Sequence, residues 1–198
     1  MSAAVRLVDL LAGIAAPASN ADSIGGVAVN GLSLDSRRIR VGDAVIALRG
    51  SVAHGITFAP AALASGASVI LAETPAPVAS AALANAPVVW IDGLREQVGE
   101  IAARFFSRPS VALHMIGVTG TNGKTSIVQL LASALQNLGA RAATIGTLGA
   151  GLVGAVAAGE RTTPDAVSVQ ALLAEFRDAG APHGAMAVSS HALDQRRV

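Results

Sequence analysis

The residues with the clearest chemistry run from Gly117 to Thr125, Gly-Val-Thr-Gly-Thr-Asn-Gly-Lys-Thr. An apolar run, Met115 to Val118, enters this stretch, and a helical pattern, Ile127, Val128, Leu130, Leu131, Ala134, Leu135 and Leu138, leaves it. Strand, glycine-rich turn, Lys-Thr and helix is the order of a phosphate-binding loop. Such a turn presents backbone N–H groups and opens a helix whose N-terminus carries partial positive charge, so a polyphosphate is attracted there. Lys124 would then reach the terminal phosphates as the candidate catalytic residue, and the Thr125 hydroxyl would sit on Mg²⁺. The spacing departs from strict G-x-x-x-x-G-K-[ST], because five positions before Gly123 stands Val118. The bland alternative is a glycine-rich turn with an incidental lysine.

Other polar groups with chemical potential are Asp35-Ser36-Arg37, Thr162-Thr163 and Ser189-Ser190-His191. Each has a modest structural reading. Asp35 and Arg37 suit a turn closed by a salt bridge. Thr162-Thr163-Pro164 suits a helix N-cap. Ser189-Ser190 suits a strand end that caps the next helix. A Ser-His hydrolase is disfavoured, since neighbouring residues seldom form that pair and no G-x-S-x-G surrounds them. His54, His114 and His183 are scattered along the chain, which argues against a histidine metal site.

The elements that must position these groups alternate. Helices are expected over 5–11, 59–65, 93–106, 125–138 and from 162 to about 179. Strands are expected over 25–34 (with a turn at Asn30-Gly31), 44–48, 68–72, 88–91, 114–119, 142–147 and 185–189. Residues 74–87 and 149–159 read as loops, the latter a flexible Gly/Ala segment. Strands alternating with helices predict an α/β fold with a doubly wound parallel sheet, in which ligands sit at the carboxyl ends of strands. Ser107-Arg108-Pro109-Ser110 breaks the pattern, so the expected domains are 1–108 and 109–198.

Composition bounds the rest. The 198 residues are 52% hydrophobic, much of it alanine, with 3% aromatic and 14% charged, as in a compact α/β protein with alanine-rich helices. A net charge of +1 offers no electrostatic case for nucleic acid or an anionic membrane, and the absence of cysteine excludes disulfides and thiolate metal sites. The uncharged runs 50–72 and 142–159 are broken by Gly and Pro, so membrane insertion is not expected. A cytoplasmic monomer is the default.

Taken together the segments resemble the Mur ligase family. Gly120 to Thr125 is similar to its G-T-N-G-K-T/S loop. Leu34-Asp35-Ser36-Arg37, with Gly42-Asp43 behind it, looks like the uridine-binding segment of the branch that adds a diamino acid to UDP-N-acetylmuramoyl-L-alanyl-D-glutamate. Residues 186–198 resemble that branch's signature M-E-V-S-S-H-A-L-x-Q-x-R-V. The resemblance implies an N-terminal uridine-nucleotide-binding domain followed by an ATP-binding domain. It implies ATP and Mg²⁺ as cofactors and an acyl-phosphate route to an amide bond in peptidoglycan precursor synthesis, with meso-diaminopimelate favoured over L-lysine. Gly120, Thr121, Asn122, Gly123, Lys124, Thr125 and Ser126 would bind ATP. Leu34, Ser36, Ser51, Val52 and Ala53 would bind the UDP moiety, and Thr162, Thr163, Ser189, Gln195 and Arg197 the muramoyl-dipeptide.

Two departures matter. Ala187 stands where the signature has a Glu that helps hold Mg²⁺, so weak metal binding and low activity are expected. Arg161 stands where an Asn is common. Only residues 109–198 serve the ATP-binding half, and the chain stops inside the signature. The expectation is a partial chain in which the last strand, 185–189, has an unpaired edge, ligation is lost and uridine-nucleotide binding survives. The competing readings are a non-catalytic nucleotide-binding remnant, another Mur ligase, or a folylpolyglutamate synthetase.

Overall fold

In a computed structural model, which describes residues 4–14, 24–159 and 161–197, the chain divides into two compact units, Met1–Phe105 and Phe106–Val198. The first begins with β1 (Val5–Arg6), α1 (Leu7–Leu11) and β2 (Ala28–Val29). A helix expected from Val5 therefore starts only at Leu7: Val5 and Arg6 pair antiparallel with Val29 and Ala28 instead. The expected strand over 25–34 is likewise two strands, β2 and β3 (Gly31–Ser33), which belong to different sheets. They part at Asn30, whose N–H donates to Gly42 O at 2.9 Å, so Asn30-Gly31 marks a change of sheet rather than a hairpin.

After β3 come β4 (Asp43–Ala47), α2 (Ala59–Ala64), β5 (Val69–Glu73), β6 (Val88–Ile91) and α3 (Leu94–Phe105). The sheet β3-β4-β5-β6 is wholly parallel and runs in chain order. Every residue of β4 and β5 is buried, which is why they read as unbroken apolar runs rather than alternating ones. One face packs on α2 through Val45, Ala47, Ile70, Ala72, Ala59 and Ala62. Helix α3 follows from the spacing of Leu94, Val98, Ile101, Ala102 and Phe105, which puts the buried side chains on one stripe. Arg104 in its last turn pairs with Glu100 at 2.8 Å and donates to Leu10 O and Ala12 O at 2.9 and 2.7 Å, fastening the end of α1. Residues 74–87, read as a loose connection, include a short 3-10 segment, Val78–Leu83.

The second unit holds β7 (His114–Val118), α4 (Lys124–Asn137), β8 (Ala142–Gly146), β9 (Gly149–Leu152), β10 (Ala155–Ala157), α5 (Ala166–Asp178), β11 (His183–Ala187) and α6 (Ser190–Asp194). The sheet order is β10-β9-β8-β11-β7, with β8, β11 and β7 parallel and β9 and β10 added antiparallel. Strand β11 lies between β8 and β7, so the last strand is paired on both sides and β7 is the edge, contrary to expectation. Its alternating side chains face two helices: Ala185 and Ala187 pack with Val118 and Val128 of the α4 side, Met186 and Val188 with Val169, Leu173 and Phe176 of α5. Helices thus cover both faces, as a doubly wound sheet requires.

The segment 149–159, expected as a flexible loop, contains the β9–β10 hairpin instead. Its glycines and alanines hide the strand pattern, because no β-branched alternation marks it. Gly149 has φ +117°, and a Cβ there would lie 1.9 Å from Ala157 O, so only glycine lets the strands approach. Gly149→Ala should therefore destabilise this unit by more than ~1 kcal/mol, lowering the thermal midpoint by about 4–8 °C or more. Circular dichroism melting checks it, and an unchanged midpoint would contradict the hairpin.

Candidate functional site

The second unit gathers its polar groups where the parallel strands end. The chain leaves β7 at Val118, crosses Thr119 to Gly123 and enters α4 at Lys124. Gly123 occupies the position before the helix with φ +80°, a left-handed conformation that glycine adopts without strain, and no side chain caps the helix. The first-turn N–H groups therefore face outward with no side-chain acceptor, the arrangement that receives a phosphate. Residues Thr119 to Gly123 are exposed. Lys124 folds back over this turn, its Nζ donating to Gly120 O at 2.5 Å and Thr121 O at 3.3 Å, so the cation stays on the loop.

Across the same edge Thr125 Oγ1 donates to Thr147 Oγ1 at 3.3 Å, and Thr147 Oγ1 lies 3.1 Å from Thr162 Oγ1. The neighbouring Thr163 is buried and works differently. Its hydroxyl donates to Ala187 O at 2.8 Å and accepts from Ser189 N–H at 3.1 Å, which ties segment 161–165 to the end of β11. Arg197 donates to Thr163 O at 3.3 Å and to Gln195 Oε1. The fold therefore brings Thr162, Thr163, Ser189, Gln195 and Arg197 together.

Local capping separates the readings left open by the sequence. Asp165, not a threonine, caps α5: its Oδ1 accepts from Ser168 N–H at 3.0 Å and its Oδ2 from Ser168 Oγ at 2.7 Å. Pro164 accordingly precedes the cap instead of standing in the first turn. Ser189 does cap α6, accepting from Ala192 N–H at 3.2 Å. Thr147 escaped sequence reading because it lies in no motif; its one signal was its place at the carboxyl end of an expected strand.

In the first unit the edge formed by the ends of β3, β4, β5 and β6 carries Leu34 to Arg37, the turn 49–54, Glu73 and Asp92. Leu34 and Ser36 are half-buried, while Ser51, Val52 and Ala53 are exposed. The 49–54 turn is held at both ends. Glu73, itself buried, accepts from Arg49 N–H at 2.7 Å, and Arg95 donates to Arg49 O at 2.6 Å. His54 Nδ1 accepts from Ile56 N–H at 3.0 Å, so its Nε2 carries the proton and donates to Glu73 O at 2.8 Å. The sequence singles out neither Glu73 nor Arg95, which lie in none of the motifs.

Asp35 accepts from the Arg37 guanidinium at 2.9 Å through each carboxylate oxygen, and from Arg37 N–H at 3.0 Å. These bonds lower its pKa from 3.8 to about 2. A lowered carboxylate pKa stabilises the fold above the unfolded value and is lost as pH falls from about 4 towards about 2. Arg37 is 87% exposed, so solvent screening keeps the contribution small. Asp35→Asn should flatten the stability loss in that acid window and lower neutral-pH stability by the same small amount, as measured by urea titration across pH.

A protein-held Mg²⁺ does not fit these donors. Mg²⁺ requires hard oxygen ligands, usually with one or two carboxylates. The edge supplies the neutral hydroxyls of Thr125 and Thr147. Ala187 is fully buried among apolar side chains, and among the described residues no group of three or more acidic or histidine side chains is placed to hold a metal.

A glycine-rich turn between strand and helix, at the carboxyl edge of a sheet covered by helices on both faces, places the second unit in the doubly wound α/β class. Two family models match the chain, "Mur ligase family, catalytic domain" over residues 28–106 and "Mur ligase middle domain" over residues 118–198. The chain belongs to the Mur ligase family. It is 56% identical over 172 residues to the UDP-N-acetylmuramoyl-L-alanyl-D-glutamate--2,6-diaminopimelate ligase of Xanthomonas campestris pv. campestris, a match covering 87% of this chain and 34% of that protein. The ligase of the same name from Xanthomonas oryzae pv. oryzae is 48% identical over 198 residues, covering 100% of this chain and 38% of that one. The chain thus spans about a third of the length of the curated relatives it matches. A solved structure of a ligase with that name superposes with a TM-score of 0.80 at 32% identity, over 98% of this chain and 38% of that one. The ligase MurF from Thermotoga maritima in complex with ADP shares the fold, with a TM-score of 0.55 at 19% identity over 81% of this chain and 32% of that one.

Proposed function

We propose that this chain supplies the UDP-substrate-binding and ATP-binding parts of a ligase that joins meso-diaminopimelate to UDP-N-acetylmuramoyl-L-alanyl-D-glutamate. The observation that carries the reading is the edge of the second unit, where the phosphate turn, Thr162 and the Ser189–Arg197 segment meet. Residues 1–108 form the UDP-binding domain and 109–198 the ATP-binding domain in this reading. The relatives' names support the substrate, and the ADP-bound fold relative supports the nucleotide.

In this reading Gly120 to Ser126 cradle the ATP phosphates, with Lys124 neutralising charge as it develops. Leu34, Ser36 and Ser51 to Ala53 hold the uridine diphosphate. Thr162, Ser189, Gln195 and Arg197 hold the dipeptide, Arg197 as a fork donor to carboxylate, while the buried Thr163 serves that site by fixing the segment to the end of β11. The D-glutamate γ-carboxylate oxygen attacks the γ-phosphorus, and ADP leaves with the bridging oxygen. The amine then adds to the acyl phosphate carbonyl, and phosphate departs as the amide forms. The chain's part is positioning and charge neutralisation. Mg²⁺ would be held by the nucleotide's phosphates rather than by the protein, because the carboxylate of segment 161–165, Asp165, is committed to Ser168. Among the described residues no helix is long and apolar enough to cross a membrane; a cytoplasmic monomer completes the reading.

Ala187 favours a second reading, nucleotide binding without ligation. Titration calorimetry with UDP-N-acetylmuramoyl-L-alanyl-D-glutamate tests the first: saturable one-to-one binding, competed by UDP, is expected. No binding would overturn the substrate assignment, and binding of ATP alone would leave the second.

A further inference from the structure

Thr147 belongs to none of the motifs that carry the functional reading, yet it joins two of them. It follows β8 directly, and among the described residues its hydroxyl bonds only to Thr125 Oγ1 at 3.3 Å and Thr162 Oγ1 at 3.1 Å. Thr125 opens α4 beside the phosphate turn. Thr162 begins the segment assigned to the dipeptide. Among the described residues neither of those hydroxyls has another protein partner, so Thr147 is the side chain that orients both.

A hydroxyl has one hydrogen and two acceptor lone pairs. Thr125 now donates to Thr147, which leaves the Thr147 hydrogen for Thr162 or a lone pair to accept from it. A phosphate that takes the Thr125 hydrogen removes the bond Thr147 accepts. Thr162 is then the hydroxyl beside Thr147 that can donate to it, in competition with water at this exposed edge, and a turn of the Thr162 hydroxyl towards Thr147 becomes favourable. Occupancy of the phosphate turn thereby changes what Thr162 offers a ligand. Linked hydroxyls also polarise one another, so a change at one end is felt at the other.

We infer that Thr147 is a positioning residue that couples the phosphate turn to Thr162, so that a nucleotide at one site alters the affinity for the muramoyl-dipeptide at the other. The inference rests on the functional reading above and adds a residue to it. One rearranged hydrogen bond is worth a factor of about threefold to tenfold in affinity, and the same factor must appear whichever ligand is titrated second.

The test is calorimetric titration of the chain with UDP-N-acetylmuramoyl-L-alanyl-D-glutamate, alone and with saturating adenylyl imidodiphosphate. The two dissociation constants should differ by about threefold to tenfold in the parent chain, and by the same factor in Thr147→Ser. They should coincide in Thr147→Val, which keeps the shape and removes the hydroxyl. A factor that survives in the Val variant, or is one in the parent, overturns the coupling while leaving the functional reading in place. Equal loss in Ser and Val marks Thr147 as structural and also overturns it. Failure of the parent to bind either ligand alone overturns the functional reading, and this inference with it.

Discussion

Lys124→Ala should weaken ATP binding by about 10- to 100-fold while leaving the fold intact. The magnitude follows from the charge-assisted hydrogen bonds that an ammonium makes to phosphate, about 1.5–3 kcal/mol. Retention of the fold follows from the contacts of the side chain. Among the described residues its Nζ bonds only to the loop carbonyls of Gly120 and Thr121, and the helix it opens is held by Val128 and Ala132 in the core. Calorimetric ATP titration and a thermal melt of the same variant separate the two effects. A large loss of affinity with a midpoint within a degree or two is the expected pair. An unchanged affinity would mean that the turn is not the phosphate site. Lys124→Arg keeps the charge but substitutes a planar fork for a point donor, so an intermediate loss is expected.

Ala187→Glu should convert the chain from Mg²⁺-insensitive to Mg²⁺-stabilised. Ala187 is fully buried and packs with Val118, Val128 and Ala185, and a Cβ at Gly146 would lie 3.5 Å from its own. A carboxylate introduced there is desolvated unless it reaches an oxygen-binding cation, so the variant alone should lose about 1–3 kcal/mol. Mg²⁺ binds the folded variant and not the unfolded chain, and so returns stability in proportion to the logarithm of its concentration. The thermal midpoint should therefore fall on substitution and climb with added MgCl₂, whereas the parent chain should show no such climb. A variant whose midpoint ignores Mg²⁺ would remove position 187 from the metal account.

Much of this was legible in the sequence, and the reasons differ by element. Strands β4 and β5 were found because fully buried parallel strands are continuous apolar runs, and β6, buried at alternate residues, because it is a short apolar run directly after Pro87. Helices α3 and α4 announced themselves by 3.6-residue periodicity and, for α4, by the Gly123-Lys124 entry. The hairpin over 149–157 was not legible, because its pairing depends on glycines that permit close approach rather than on side chains that favour strands. Strand β1 was lost inside an apolar stretch whose partner lies more than twenty residues away. The insertion of β11 between β8 and β7 is a property of topology that no local pattern encodes.

The site divides in the same way. The phosphate turn and the 186–197 segment carry distinctive residue orders. Thr162 and Thr163 looked alike, but burial separates them: Thr163 spends its hydroxyl on Ala187 O and Ser189 N–H, while Thr162 presents its hydroxyl to Thr147. Asp165 as the true cap of α5 follows from the same local competition for free N–H groups. Thr147, Glu73 and Arg95 act through partners distant in sequence, and such partners appear only once the chain is folded.

We propose that there are two separate nucleotide sites, one at the carboxyl ends of the parallel strands of each unit. Residue-resolved amide hydrogen exchange, with ATP and with UDP added separately, tests it most directly. ATP should slow exchange at 120–126 and leave 34–37 and 50–54 unchanged, while UDP should do the reverse. Protection of the same residues by both ligands, or of neither set by either, would contradict the account.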